Sequence, residues 1–108
     1  MAAPVISQAD QDRIMLERNL QGIEMERSGH IAQAVTLYEA NVRDCFEGSH
    51  PYERLRVIYR QIGDYPNAIR ACQAYLNLPR RAYDEKKRQR FREHIAKLTE
   101  EGRRKSTR

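Results

Sequence analysis

The chain has 108 residues, of which 40% are apolar and 32% are charged, and its formal net charge is +5. That length fits one domain with a hydrophobic core, and 5 Gly, 4 Pro and 2 Cys exclude collagen, low-complexity disorder and a disulfide framework. No apolar run approaches the roughly 20 residues that cross a bilayer, and the first residues lack the pattern of a secretory signal. We therefore expect a cytoplasmic protein with reduced thiols and no membrane contact.

Five helices are predicted from the spacing of the apolar residues. They cover about 8–28, 30–46, 51–62, 65–78 and 80–101. Ser7, with Asp10 three residues later, is typical of a helix start, and Gly29 and Gly63 are predicted to end helices in the left-handed conformation. Gly102 is predicted to stop the last helix. Because no stretch alternates between apolar and polar residues, no strands are expected.

The positive charge is concentrated at the C-terminal end of the chain. Residues 80–108 contain 12 Lys and Arg against 5 Asp and Glu, a net charge of +7. The remaining residues therefore carry a net charge of −2. This pattern indicates a nearly neutral body followed by a basic final helix.

Part of the sequence repeats after 34 residues. Gly29 and Gly63 are 34 positions apart, as are Ala34 and Ala68. Five apolar positions recur at this offset: Ile31, Ala34, Val35, Tyr38 and Val42 correspond to Tyr65, Ala68, Ile69, Cys72 and Leu76. Each set has the spacing of one face of a helix, which indicates a duplicated helical hairpin.

This repeat resembles the tetratricopeptide repeat family over residues 16–80. The residues that carry the resemblance are Gly22, Gly29, Ala34, Tyr38, Tyr59, Gly63, Tyr65, Ala68 and Pro79. It implies an all-α fold, a right-handed stack of two antiparallel helical hairpins followed by a long C-terminal helix. Four residues depart from the family pattern: Arg18 replaces an aromatic residue, and Asn41, Arg56 and Tyr75 replace small ones.

The predicted organisation has four parts. Residues 1–7 form a flexible N-terminus, 8–79 the two hairpins, 80–102 a basic capping helix and 103–108 a disordered basic tail. Since about three repeats are usually needed for stability, the last helix has to cover the open end of the second hairpin. Phe91, Ile95 and Leu98 are spaced as the stripe that would do so. The alternative is that a second copy covers the open end, which gives a homodimer.

The resemblance also implies a binding face on the first helix of each hairpin and on the last helix. The predicted partner-binding residues are Asn19, Ile23, Glu26, Arg27, Glu53, Val57, Arg60, Gln61, Lys87 and His94. Phe91 lies on the same face. Mixed charge with a few apolar residues suits a peptide or protein segment. Ile23 and Arg54 stand where relatives that bind C-terminal carboxylates have asparagine, which disfavours a receptor for chaperone tails.

No catalytic residue, cofactor site or metal ligand is predicted. Cys72 falls on the inward face of its helix and Cys45 near the end of another, and nothing in the sequence supplies a base for either thiol. The histidines His30, His50 and His94 are too widely separated for a recognised metal motif. An enzyme is therefore not expected.

The leading hypothesis is a non-catalytic adaptor that binds a protein or peptide partner. One alternative is a nucleic-acid or ribosome-associated factor that uses the basic C-terminal helix. Recognition of nucleic acids usually adds stacking aromatic residues, and only Tyr83 and Phe91 are available in that region, so charge alone favours a solvated face. The other alternative is a structural subunit of a homo-oligomer.

Overall fold

The computed structural model describes residues 5–79 and 84–106, and over these ranges it contains five α-helices and no strand. The helices are α1 (Gln8–Arg27), α2 (Ile31–Arg43), α3 (His50–Gln61), α4 (Tyr65–Leu76) and α5 (Glu85–Ser106). The all-helical prediction is confirmed, and each predicted helix is present. Within the described ranges, none of these helices is both long enough and apolar enough to cross a membrane. The predicted start of the last helix at residue 80 lies outside the described residues.

The helices form two compact units, divided between Phe46 and Glu47. The first unit is the hairpin of α1 and α2, and the second contains α3, α4 and α5, with α4 packed against both of its neighbours. The predicted capping helix therefore belongs to the same compact unit as the second hairpin.

Residues 34 positions apart occupy equivalent places in the two units. Gly29 and Gly63 both adopt the left-handed conformation, with φ values of 82° and 80°. Ala34 and Ala68 are both completely buried. The prediction of a duplicated hairpin rested partly on these positions, and at these two pairs the backbone conformation or the burial matches.

In the first unit, α1 and α2 approach each other closely at Gly22. A Cβ atom on this glycine would lie 2.4 Å from Cε1 of the fully buried Tyr38. The Tyr38 hydroxyl donates a hydrogen bond of 2.7 Å to Glu26 Oε1. On the same hairpin, Nδ2 of the buried Asn41 donates to the Met15 carbonyl oxygen at 2.7 Å. Asn41 departs from the small residue of the family pattern, and this bond to α1 is what its larger side chain contributes.

Three aromatic rings join the helices of the second unit. Tyr75 of α4 meets Tyr52 of α3 edge-on, with ring centroids 5.5 Å apart, and stacks on Phe91 of α5 at 4.3 Å. Further along, α5 passes close to the start of α4, where a Cβ on Gly102 would lie 3.2 Å from Tyr65 Cβ. The end of α4, at Tyr75, contacts the first half of α5, at Phe91, whereas the start of α4, at Tyr65, lies beside Gly102 near the end of α5. The two helices are therefore antiparallel. Tyr75, a second departure from the family pattern, is the residue that binds α5 to the hairpin.

The predicted covering stripe of α5 is confirmed. Phe91 and Leu98 are almost completely buried, at 1% and 2% exposure, and Ile95 is half-buried. The remainder of the helix is mostly polar and exposed. The last helix therefore packs as a cap on α4 rather than projecting from the unit.

The prediction that Gly102 ends the last helix is wrong, since α5 continues through it to Ser106. Residues 103–106 are therefore helical, not part of a disordered tail, and residues 107 and 108 lie outside the described part of the chain. Glu100 forms ion pairs with Arg103 and Arg104 across this turn, and basic residues are favourable at the C-terminal end of a helix. Gly102 serves close packing against Tyr65 instead of termination.

At the other end of the chain, Ser7 is the N-cap of α1, as predicted. Its hydroxyl accepts a hydrogen bond of 3.1 Å from the Asp10 backbone N–H. Residues 5 and 6 precede the helix without regular structure, and residues 1–4 of the predicted flexible N-terminus are outside the described residues.

Candidate functional site

A polar groove lies between α3 and α5 in the second unit, with a volume of about 200 Å³. We call it the α3–α5 groove. Its lining residues are Arg56, Arg60, His94, Lys97, Leu98 and Glu101. Four of the six are basic or can become so, while Leu98 of α5, which is almost completely buried, supplies the apolar part. The groove thus combines positive charge with an apolar contact.

Helix geometry explains why these side chains converge. Arg56 and Arg60 are four residues apart on α3, and His94, Lys97 and Glu101 follow at intervals of three and four on α5. Such spacings place side chains on one face of a helix. The aromatic contacts of Tyr75 with Tyr52 and Phe91 fix α3 and α5 on either side of α4, which sets the groove between them.

One wall of the groove is held by an ion pair between the helices. Arg60 Nη2 lies 3.2 Å from Glu101 Oε1, and Arg60 Nε contacts both carboxylate oxygens at 3.2 Å. The Tyr65 hydroxyl also donates to Glu101 at 3.4 Å. The hydrogen bond from Arg60 is the main reason that the pKa of Glu101 is below its ordinary value of 4.5. Arg60 is therefore partly neutralised, and it aligns the C-terminal half of α5 with α3.

The other cations of the groove have no such partner within the described residues. Arg56 Nε is buried without a hydrogen-bond partner, although a buried donor ordinarily has one. Lys97, which is exposed, forms no ion pair in this part of the chain. An anion in the groove would be attracted by the charges of both Arg56 and Lys97.

The pKa of His94 is lowered by burial and by the positive charges of the groove. It is below the ordinary value of 6.5, because burial removes water from the imidazole and because Arg56 and Lys97 repel its protonated form. Glu53 and Glu93 act in the opposite direction but do not outweigh these effects. Burial, and after it the neighbouring cations, therefore favour the neutral imidazole, and a bound anion would oppose the effect of the cations.

The structure brings together only some of the predicted partner-binding residues. Arg60 and His94 line the groove, and Glu53, close enough to influence His94, is half-buried on α3. Val57 is half-buried and Gln61 exposed on the same helix. The remaining predicted residue of this unit is Lys87, half-buried in the first turn of α5, where its backbone N–H donates to Asp84 Oδ1 at 3.1 Å.

The four predicted residues of the first unit differ in exposure. Asn19 is buried, at 8% exposure, so it offers little surface to a partner, and its role in binding stays a prediction. Glu26 is half-buried and accepts the Tyr38 hydrogen bond, while Ile23 is half-buried and Arg27 exposed. Asn19 lies on the face of α1 that also contains buried Met15 and Gly22, and this position in the hairpin accounts for its burial.

Four lining residues, Arg56, Lys97, Leu98 and Glu101, are not among the predicted partner-binding residues. Arg56 was noticed only as a departure from a small residue, and that departure is the signal that could have found it. Lys97 follows His94 by three residues on the same face, so extending the predicted α5 face by one turn would have included it.

The cysteines and acidic residues do not form a metal-binding arrangement in the described part of the chain. No three side chains among His, Cys, Asp and Glu there are close enough together to hold a metal ion. Cys72 is fully buried, and desolvation raises the pKa of its thiol to about 11. It is therefore protonated at neutral pH and a poor nucleophile.

Three comparisons with known proteins complete the description of this site. No family model matches the chain, no curated protein matches it, and no solved structure does. Conclusions about function therefore depend on the residues and geometry described above.

Proposed function

We propose that this protein is a non-catalytic, cytoplasmic adaptor of the tetratricopeptide type, which binds an acidic segment of a protein partner in the α3–α5 groove. The observation that carries the proposal is the convergence of Arg56, His94 and Lys97 on a small groove in which Arg56 Nε has no partner. Carboxylate side chains supply the charge-assisted hydrogen bonds that this arrangement lacks.

The repeat architecture is part of the proposal. Its support is the 34-residue offset, at which left-handed glycines and buried alanines occupy matching positions. In the family that the sequence resembles, right-handed stacking of such hairpins creates a binding surface on the first helices of the units. The α3–α5 groove would be one section of that surface, since α3 is such a helix and α5 follows in the same role. The compartment rests on the sequence alone.

The apolar part of the groove favours a peptide segment over a free anion. Leu98 adjoins the cations, so an occupant with one apolar side chain between carboxylates would contact both. An oligonucleotide would instead require phosphate contacts along the exposed side of α5. There Arg92 is paired with Glu85, and Arg103 and Arg104 with Glu100, so part of that charge is already neutralised.

The test is fluorescence anisotropy with a labelled peptide of alternating Glu and Leu, compared with the same peptide in which Lys replaces Glu. We expect saturable binding of the acidic peptide alone. Lys97→Glu should weaken it about tenfold or more, because one lost charge-assisted contact is comparable to 1.4 kcal/mol. Arg60→Glu, which also breaks the ion pair with Glu101, should weaken it as well.

Lys86→Glu is the matched control. It makes the same charge change on α5, at an exposed position in the first turn that does not line the groove. Equal loss of binding in Lys86→Glu and Lys97→Glu would contradict a localised site. Binding of an oligonucleotide with a steep dependence on salt, reduced by both variants, would favour the nucleic-acid alternative.

A further inference from the structure

The second unit has another groove, larger and much more apolar than the first. It lies between the start of α4 and the end of α5 and has a volume of about 680 Å³. We call it the α4–α5 groove. Tyr65, Pro66 and Ile69 form one side, and Leu98, Thr99 and Gly102 form the other. Its floor is apolar, and Gly102 packs closely against Tyr65 there.

Basic residues border this groove. Arg103 and Lys105 line its edge, and the Lys105 ammonium lies 5.5 Å from the centre of the Tyr65 ring. The whole of α5 carries 9 Lys and Arg against 4 Glu, a net charge of +5. An apolar groove with a basic border suits an apolar helix face with an acidic border.

The first unit of the same chain presents such a face. Leu16 and Leu20 of α1 are 51% and 57% exposed, although leucine is usually buried. With the half-buried Ile23 they follow the i, i+4, i+7 spacing of a stripe along one side of the helix. This α1 stripe lies one position beyond Met15, Asn19 and Gly22, the residues that α1 buries.

The charge of α1 is opposite to that of α5. It contains 5 Asp and Glu against 3 Arg, a net charge of −2, and the exposed Glu17 and Glu24 lie beside the stripe. The sizes also match, since Leu16 to Ile23 extends about 10 Å along its helix and Leu98 to Ser106 about 12 Å.

We propose that the α4–α5 groove binds the α1 stripe of a second copy of this chain. The two surfaces differ, so the contact is heterologous: when two copies bind, one of them keeps a free groove and the other a free stripe. Further copies therefore add to the dimer, unless the last copy binds the first and the assembly closes into a ring. Leu98 lines both grooves, but none of the basic residues of the α3–α5 groove lines the α4–α5 groove. The proposed interface therefore does not depend on the proposed function.

Complementation between two variants tests the proposal. Leu20→Glu disables the stripe at an exposed position, and Pro66→Glu puts a negative charge in the groove at an exposed position in the first turn of α4. By light scattering from about 10 μM to about 1 mM, the wild-type mass should rise past twice 12.7 kDa, while each variant stays near 12.7 kDa. An equimolar mixture should regain association and stop at twice 12.7 kDa, because it contains one intact groove and one intact stripe.

Gln21→Glu is the control for added negative charge, since it is exposed and lies beside the stripe without belonging to it. It should associate like the wild type. Far-UV circular dichroism checks that each variant is folded, and Thr99→Glu is a second groove variant, on the exposed side of α5. Salt of about 1 M should weaken the association through screening.

Three results would overturn the proposal. The first is a wild-type protein that stays monomeric throughout the concentration range. The second is association that neither variant reduces. The third is a mixture that stays monomeric although each variant is folded, which would mean that the two surfaces do not bind each other.

Discussion

Gly22→Ala should destabilise the protein, although alanine is the better helix former. A Cβ at this position would lie 2.4 Å from Tyr38 Cε1, 2.9 Å from Cδ1 and 3.0 Å from Cζ. Carbon atoms in contact are normally about 3.5 to 4.0 Å apart, so the ring would have to move by about 1 Å. Tyr38 is completely buried and its hydroxyl is bound to Glu26, so that movement has a cost.

The size of the effect follows from three contributions. Replacing a glycine inside a helix with alanine contributes about 1 kcal/mol of stability. Overpacking a core costs about 1 to 3 kcal/mol, and straining or losing the Tyr38 bond to the Glu26 carboxylate costs about 1.5 to 3 kcal/mol. We expect a net loss of about 2 kcal/mol in the free energy of unfolding. In a domain of this size that lowers Tm by about 10 °C.

Thermal and urea unfolding, followed by circular dichroism at 222 nm, measure this loss. Gln21→Ala introduces the same residue at the neighbouring exposed position and should change stability by less than about 0.5 kcal/mol. Tyr38→Leu removes the ring that the new methyl group would meet, so the double variant should show a coupling energy of at least about 1 kcal/mol. A Gly22→Ala protein more stable than the wild type would refute the close packing of α1 on α2.

Three further predictions concern single side chains. Cys45 has φ of 60° at the end of α2, where its own N–H donates to the Val42 carbonyl oxygen and the following N–H donates to the Asn41 carbonyl oxygen. Cys45→Gly should therefore raise the free energy of unfolding, measured in urea, by about 1 kcal/mol. An unchanged urea midpoint would show that no strain is present. A thiol reagent should label the exposed Cys45 in the native protein, whereas Cys72, which is buried and has a pKa of about 11, should react only as fast as the chain unfolds. Labelling of both cysteines at the same rate would count against the burial of Cys72. Because the pKa of His94 is lowered in the folded state, the unfolded chain takes up this proton first as the pH falls. Stability should therefore decrease as the pH drops from 6.5 to the pKa of His94 in the folded protein, and His94→Gln should remove that part of the pH dependence. An NMR titration that gives His94 a pKa at or above 6.5 in the folded protein would contradict this prediction.

The sequence identified the helices and their duplication because these depend on local periodicity. Ala34 and Ala68 each lie on the buried face of their helix, and the spacing of apolar residues is enough to predict such a face. Gly102 shows where local reasoning fails. A glycine after an apolar stripe is typical of a helix end, but the same residue also permits close packing against a neighbouring helix, and only the position of Tyr65 distinguishes the two.

Cys45 illustrates the opposite error. Nothing about a cysteine predicts a left-handed residue, so the end of α2 was placed three residues too late. The Phe46 N–H donates to Asn41 O at 2.9 Å, and the Cys45 N–H donates to Val42 O at 3.1 Å. The same pair of bonds ends α1 at Gly29 and α3 at Gly63. The hydrogen-bond pattern of this turn therefore overrides the preference of the residue that occupies it.

The candidate site could be predicted only in part, because its composition depends on contacts between helices. Arg60 and His94 were found because they lie on the exposed side of α3 and of α5, which the repeat resemblance identifies. Asn19 is buried, and that burial depends on the packing of α2 against α1, which spacing alone does not give. The spacing of Arg56 puts it on one face with Arg60, but only the position of α5 shows that this face lines a groove.

Three bulky residues stand at positions where the family that the sequence resembles has small ones, and they share one structural effect. Asn41 bonds the Met15 carbonyl, Tyr75 stacks on Phe91, and Arg56 extends into the α3–α5 groove. In each case the larger side chain fills space between helices, so the helices must be spaced to accommodate it. Tyr75 does this on the apolar side of the second unit and attaches α5. Arg56 does it on the polar side, where its guanidinium adds a positive charge from α3 to the charges that α5 supplies. Of these three residues, Arg56 is therefore the one that contributes directly to the candidate binding site.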